Sequence, residues 1–114
     1  MNGISKSEST KEVLLENYFN NITIGFDDPI ISCQNMFKDL DNIIEIDLSN
    51  FDTSKVTNMA FMFLNCIRLK KIYLWNINTS LVTSMFGMFK NCSSLISIDL
   101  SYFDTSLVAT MSEI

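Results

Sequence analysis

Three groups of side chains in this sequence could carry chemistry. Asp52 and Asp104 are the first, because they occupy the same position in two copies of an internal repeat. Stacked carboxylates can shift one another's pKa or hold a cation. The copy between them has Asn78 at that position, so the column is interrupted. Turn capping by the short side chains is the better account of both aspartates. Cys33, Cys66 and Cys92 form the second group. Their number is odd and no CxxC pair occurs, which favours neither a disulfide framework nor a zinc site. Leu40 stands where Cys66 and Cys92 stand in later copies, so these two are expected to be small buried thiols. The third group is the methionines, and their repeat spacing reads as core filling. Histidine is absent, which removes the commonest general base and the Ser-His and Cys-His nucleophile systems. No glycine-rich phosphate loop or nucleophile motif is present. The reading is therefore of a chain that is not an enzyme, with no catalytic residues, no cofactor and no metal site.

Charge and length narrow the class further. The 114 residues carry 8 Lys and Arg against 13 Asp and Glu, a net charge of −5. That sign repels phosphate backbones, so no nucleic-acid partner is expected. No apolar run approaches the ~18 residues of a membrane-spanning helix, and no membrane insertion is expected. The first twenty residues lack the apolar core of roughly 7–15 residues that marks a secretory signal.

The elements that position these side chains come from a 26-residue repeat. Met36-Phe37, Met62-Phe63 and Met88-Phe89 are related by that offset, as are Leu48, Leu74 and Leu100. Thr53-Ser54, Thr79-Ser80 and Thr105-Ser106 follow it too, with Val56, Val82 and Val108. The first half of each copy is strand-like: Ile43, Ile46 and Leu48 follow an L-x-x-L-x-L frame in which Ile46 and Leu48 alternate with polar neighbours, and the frame recurs as Leu69, Ile72 and Leu74, then as Leu95, Ile98 and Leu100. Phe51, Ile77 and Phe103 turn inward at the following corner. In the second half, Val56, Met59 and Phe63 lie at i, i+3 and i+7, the spacing of one helix face. Thr57 is then the best-placed cap, and Asn65 the residue that tolerates a left-handed end.

One such unit cannot bury its own apolar side, whereas stacked copies can. The expected fold class is an α/β solenoid, a leucine-rich-repeat-like stack with a short parallel sheet on one face and short helices on the other. Residues 1–34 are expected to form an N-terminal helix and an irregular capping coil. In that helix Ser9-Thr10 caps KEVLLENYF, with Val13, Leu14 and Tyr18 inward, and Asn21 to Ile24 alternates as a strand. Residues 35–114 are expected to hold about three 26-residue leucine-rich repeats, the last truncated.

The string IDLSNFDTSKVTNMAFMFLNC resembles the 26-residue repeat of BspA-like leucine-rich-repeat surface proteins, a family of bacterial, mycoplasma and protist arrays. The resemblance implies a non-catalytic array, extracellular or at the cell surface, that adheres to host or matrix proteins. This chain shows neither the signal nor the anchor usual in that family, so the reading assigns no compartment.

The strand frame also says which side chains face outward: Glu45, Asp47 and Ser49, then Lys71, Tyr73 and Trp75, then Ser97, Asp99 and Ser101. Tyr73 and Trp75 replace the Asp and Ser of both neighbouring copies with large aromatics, the residues that binding surfaces use as anchors. The expected function is a protein-binding or adhesion repeat module, its contact made by Lys71, Tyr73, Trp75, Asp47 and Asp99. The alternative is a structural or truncated remnant of a larger array without its own binding activity. An uncovered layer of Leu100, Phe103 and Val108 adds end-to-end self-association to the expected partners.

Overall fold

The computed structural model describes residues 12–16, 21–25, 29–110 and 112. Its strands are β1 (Glu12–Glu16), β2 (Asn21–Gly25), β3 (Glu45–Asp47) and β4 (Lys71–Tyr73), joined in one sheet of order β2-β1-β3-β4. β3 and β4 are parallel, with Glu45 opposite Lys71, Ile46 opposite Ile72 and Asp47 opposite Tyr73. The strand face of two repeats is thus in the expected register. β1 is antiparallel to both β2 and β3.

This overturns the α/β solenoid with helices on one face. Among the described residues there is no helix, and only the two three-residue strands β3 and β4 run parallel. The expected N-terminal helix is also replaced, since Glu12–Glu16 is a strand. Pairing decides the matter there: Leu15 lies opposite Ile46 on one side and Ile22 on the other. Hydrogen bonding to a strand edge that would otherwise be bare overrides a local helical pattern. The strand expected near Asn21 to Ile24 is present as β2. The Ser9-Thr10 cap and Tyr18 lie outside the described residues.

The second half of each repeat buries the side chains that its spacing suggested, on a different backbone. Val56, Met59, Met62 and Phe63 are fully buried. Yet the N–H groups of Met59, Phe61, Phe63 and Asn65 donate to the carbonyls of Ser84, Phe86, Met88 and Lys90, at 2.9, 2.9, 2.9 and 3.0 Å. One copy earlier, Cys33, Asn35, Phe37 and Asp39 donate in the same way to Asn58, Ala60, Met62 and Leu64. Of the intervening N–H groups, Met62 and Leu64 bond three residues back, to Met59 and Phe61, while Ala60 bonds the Asn58 side chain. A helix would keep all of these bonds within one segment. Here every second donor is passed to the next copy, and the chain advances through linked turns. Positive φ values make this possible at Asn35 and Asp39, Phe61 and Asn65, Gly87 and Asn91, all between 57° and 64°. Asn65 is left-handed as expected, but it resets a turn rather than ending a helix. Thr57 has no helix to cap, and its N–H and hydroxyl both reach the Ile31 carbonyl, at 3.0 and 3.4 Å.

Stacking produces side-chain columns through the core. The Phe37 and Phe63 rings are 5.5 Å apart and those of Phe63 and Phe89 5.3 Å, with interplanar angles of 12° and 4°. At the corner after each strand, Thr53 is buried, donates to the Asn78 carbonyl and accepts from the Asn78 N–H, both at 2.8 Å. Thr79 repeats this latch on Asp104. The thiols belong to the same core. Cys66 Sγ donates to the Phe37 carbonyl at 3.0 Å, and Cys92 Sγ to that of Phe63 at 3.1 Å. All three cysteines are free. The layer is less complete in the third copy: Leu95, Ile98, Leu100, Phe103 and Val108 pack on the core but are only partly buried.

Phe63→Ala removes the middle ring of the column and is expected to cost ~3–5 kcal/mol. A urea midpoint close to that of the parent would place Phe63 outside the core. Gly87 gives a second test. An added Cβ would meet Phe61 Cε1 at 2.7 Å, at a φ of +60°. Gly87→Ala should therefore lose about 1–2 kcal/mol from the left-handed strain alone. Adding Phe61→Leu should recover the part due to the ring and leave the rest; additive effects of the two changes would contradict this contact. The thiols supply a pH test. Burial pushes Cys33 and Cys66 from the ordinary 9.0 up to about 12. A raised thiol pKa means that the fold excludes the thiolate. Stability is then unaffected below pH 9.0 and falls as the pH climbs towards about 12. Cys66→Ala should flatten that slope in alkaline urea titrations, and an unchanged slope would exclude the thiol as its source.

Candidate functional site

The outward face of β3 and β4 is shaped by one exception to the repeat. In the first and third copies, an aspartate and the serine two residues on close a small turn. Asp47 Oδ1 accepts from the Ser49 N–H at 2.9 Å and from its hydroxyl at 2.6 Å. Asp99 Oδ1 accepts from the Ser101 N–H at 2.9 Å. The Ser101 hydroxyl, followed by its N–H, holds the Asp99 carboxyl below the usual carboxylate range. The middle copy has Tyr73 and Trp75 at these two positions, so this pairing is absent and two rings take its place.

Strand geometry puts residues i and i+2 on one side, and Tyr73 and Trp75 accordingly stand together. Their ring centroids are 5.3 Å apart and their planes 52° from each other. Trp75 is 55% exposed, while Tyr73 is half-buried. Lys71 Nζ lies 5.8 Å from the Tyr73 ring centroid, within range of a cation–π contact. Asp47 is the register partner of Tyr73 across the sheet. Four of the five expected contact residues are therefore gathered on β3 and β4 or just beyond. Asp99 is not part of that sheet, which ends at β4.

The corners of the first two copies hold a feature that the sequence reading missed. Ser49, Asn50, Phe51, Asp52 and Asn76 line an open cavity of about 240 Å³. Asn76 Nδ2 donates to the Ser49 carbonyl at 2.8 Å, tying the corners of the first two copies together. Trp75 directly precedes Asn76 and is the repeat equivalent of Ser49. The signal was present: Asn50 and Asn76 share a repeat position, and the third copy has Tyr102 there.

The recurrent aspartates have a structural task. Asp52, Asn78 and Asp104 each accept, through Oδ1, the N–H of the serine two residues on, at 2.9, 2.9 and 3.0 Å. This is the turn capping expected of them. Among the described residues, no three His, Cys, Asp or Glu side chains are grouped as metal ligands. Among the same residues, no helix is long and apolar enough to cross a membrane.

Comparison with known proteins places this geometry in a family. No curated protein and no solved structure matches the chain. The family described as "Mycoplasma protein of unknown function, DUF285" matches residues 31–114. That span takes in the linked turns from Ser32 onward, β3, β4 and the cavity, and leaves β1 and β2 outside. The chain belongs to the DUF285 family of mycoplasma proteins of unknown function.

Proposed function

We propose that this protein is a non-catalytic protein-binding module of the surface-repeat type, with Trp75 and Tyr73 at the centre of its contact. Lys71, Asp47 and Asp99 form the rim. The observation that carries this reading is the 55% exposure of Trp75 against a half-buried Tyr73, on a face where both other copies have Asp and Ser. Large aromatics on a rigid surface lose little conformational entropy on contact and dominate binding energetics. The scaffold gains nothing evident from them, because the Asp–Ser turns that they replace are themselves stabilising hydrogen bonds. The similarity of the repeat to BspA-like surface proteins favours a host or matrix protein as the partner, and membership of DUF285, a family of unknown function, is compatible with it.

The double change Tyr73→Asp and Trp75→Ser restores the residues of the neighbouring copies, and with them the Asx turn. It should leave the urea midpoint within about 1 kcal/mol of the parent and abolish capture of matrix proteins in a side-by-side pull-down. Truncating a central aromatic typically costs ~2 kcal/mol or more. Equal capture by parent and variant would move the contact away from these rings.

A further inference from the structure

We infer that the protein partner is engaged through an arginine, whose guanidinium stacks on the Trp75 indole and pairs with the carboxylates of Asp47 and Asp99. The inference rests on the reading of Tyr73 and Trp75 as the contact surface, and it names the chemistry that this surface recognises.

The aromatic pair already holds one cation. Lys71 Nζ lies 5.8 Å from the Tyr73 ring centroid, so a positive charge over these rings is compatible with the fold. That ammonium belongs to the chain itself and stands opposite Glu45 across the strand pair, where the acidic neighbour offsets it. Trp75 is the stronger platform, since an indole attracts cations better than a phenol ring does. It is also the more exposed of the two rings. Among the described residues no cation of the chain lies over it.

Negative charge is arranged on both sides of that indole. The repeat equivalents of Trp75 are Ser49 and Ser101, and each closes an Asx turn. Asp47 Oδ1 accepts from the Ser49 N–H and hydroxyl at 2.9 and 2.6 Å, and Asp99 Oδ1 from the Ser101 N–H at 2.9 Å. Both carboxylates are thereby drawn forward along the chain, to the level of Trp75. On one side β3 lies beside β4. On the other, the third copy is tied to the second before and after this stretch. Ser94 Oγ donates to the Ile67 carbonyl at 2.6 Å, and Thr79 latches onto Asp104. With copies spaced at ~4.8 Å, one acid flanks the indole on each side. The turns use Oδ1 alone, and an ionised carboxylate has about four acceptor sites. Oδ2 of each aspartate is therefore left for a donor from outside. The Ser101 bonds, which hold the Asp99 carboxyl below the usual range, keep that acid charged.

Arginine is the side chain that uses both halves of this surface. Its planar guanidinium stacks on aromatic faces, carries donors only, and presents them in a fork that fits a carboxylate. Lysine lacks the plane. An acidic partner would meet two fixed carboxylates on a chain of net charge −5.

Trp75 is the single tryptophan of the chain, so intrinsic fluorescence reports on this ring alone. The intact protein is titrated at fixed ionic strength with end-blocked Gly-Arg-Gly and its lysine, glutamate and citrulline analogues, citrulline keeping the shape of arginine without its charge. The arginine peptide should give a saturable change with a midpoint on the order of 1 mM. The lysine peptide should bind more weakly, and the glutamate and citrulline peptides should give no change. The double change Asp47→Asn and Asp99→Asn keeps the fluorophore and the Oδ1 acceptors of both turns. It should raise the arginine midpoint about tenfold, with circular dichroism checking that the variant folds. No saturable response to the arginine peptide overturns the inference. So does an equal response to lysine or citrulline, or an undiminished one in the folded double variant. Capture of matrix proteins separates this inference from the reading it rests on. Capture that needs Trp75 but is unchanged in the double variant and by excess arginine peptide leaves the module standing and removes the arginine. An arginine response without any protein capture does the reverse.

Discussion

On the turn side of this protein every second backbone N–H is handed to the next copy of the repeat, and the rest of the architecture depends on that transfer. The donors at Cys33, Asn35, Phe37 and Asp39, then at Met59, Phe61, Phe63 and Asn65, all point forward along the stack. Each bond is worth only about 1 kcal/mol net. Left unmade in a buried setting, each would cost more than that. The need to aim alternate N–H groups in one direction requires left-handed residues at regular intervals, and Asn35, Asp39, Asn65 and Asn91 meet it with side chains that tolerate φ near 60°. Phe61 meets it at some expense, with its ring lying where a Cβ on Gly87 would have been. The column from Phe37 through Phe63 to Phe89 follows, because identical backbones in register put identical side chains face to face.

A scaffold held by its backbone leaves the outward positions of its strands open to change. The pairing of β3 with β4 uses main-chain groups and inward Ile46 and Ile72. Asp47–Ser49 and Tyr73–Trp75 are accommodated at equivalent places with the same register. Binding chemistry can thus be installed in one copy without altering the packing beneath it. The adjoining corner, where Asn76 reaches the Ser49 carbonyl, supplies a polar wall that belongs to two copies at once.

Much of this was legible in the residues because it rests on the 26-residue offset, which survives whatever backbone carries it. The apolar frame, the phenylalanine column, the turn-capping aspartates and the outward set at Lys71, Tyr73 and Trp75 all derive from it. The helix did not follow, because a run of linked turns also brings residues i, i+3 and i+7 to one side. Val56, Met59 and Phe63 are buried on either backbone. The distinguishing mark was the recurrence of Asn, Asp and Gly at the left-handed positions, a turn signal set within an apparently helical pattern. The strand at Glu12–Glu16 has a local hairpin partner in β2, but its other partner, β3, lies some thirty residues away, and local pattern carries no trace of that second pairing. The latch of Thr53 on Asn78 left no local trace for the same reason, its acceptor being in the following copy.

The alternation of donors also dictates which changes of length this fold can absorb. On the turn side, residues with forward-pointing N–H groups are odd-numbered in every copy, and their acceptors in the next are even-numbered. Removing or duplicating one whole repeat preserves that parity and rejoins each donor to a carbonyl of the right kind. Losing a single residue within a copy breaks that offset at the seam of the altered copy, so its donors no longer face the carbonyls they pair with. Whole units can therefore be added or removed without breaking the bonding, while a one-residue insertion interrupts it. The hydrogen-bond pattern acts as a reading frame for the folded chain.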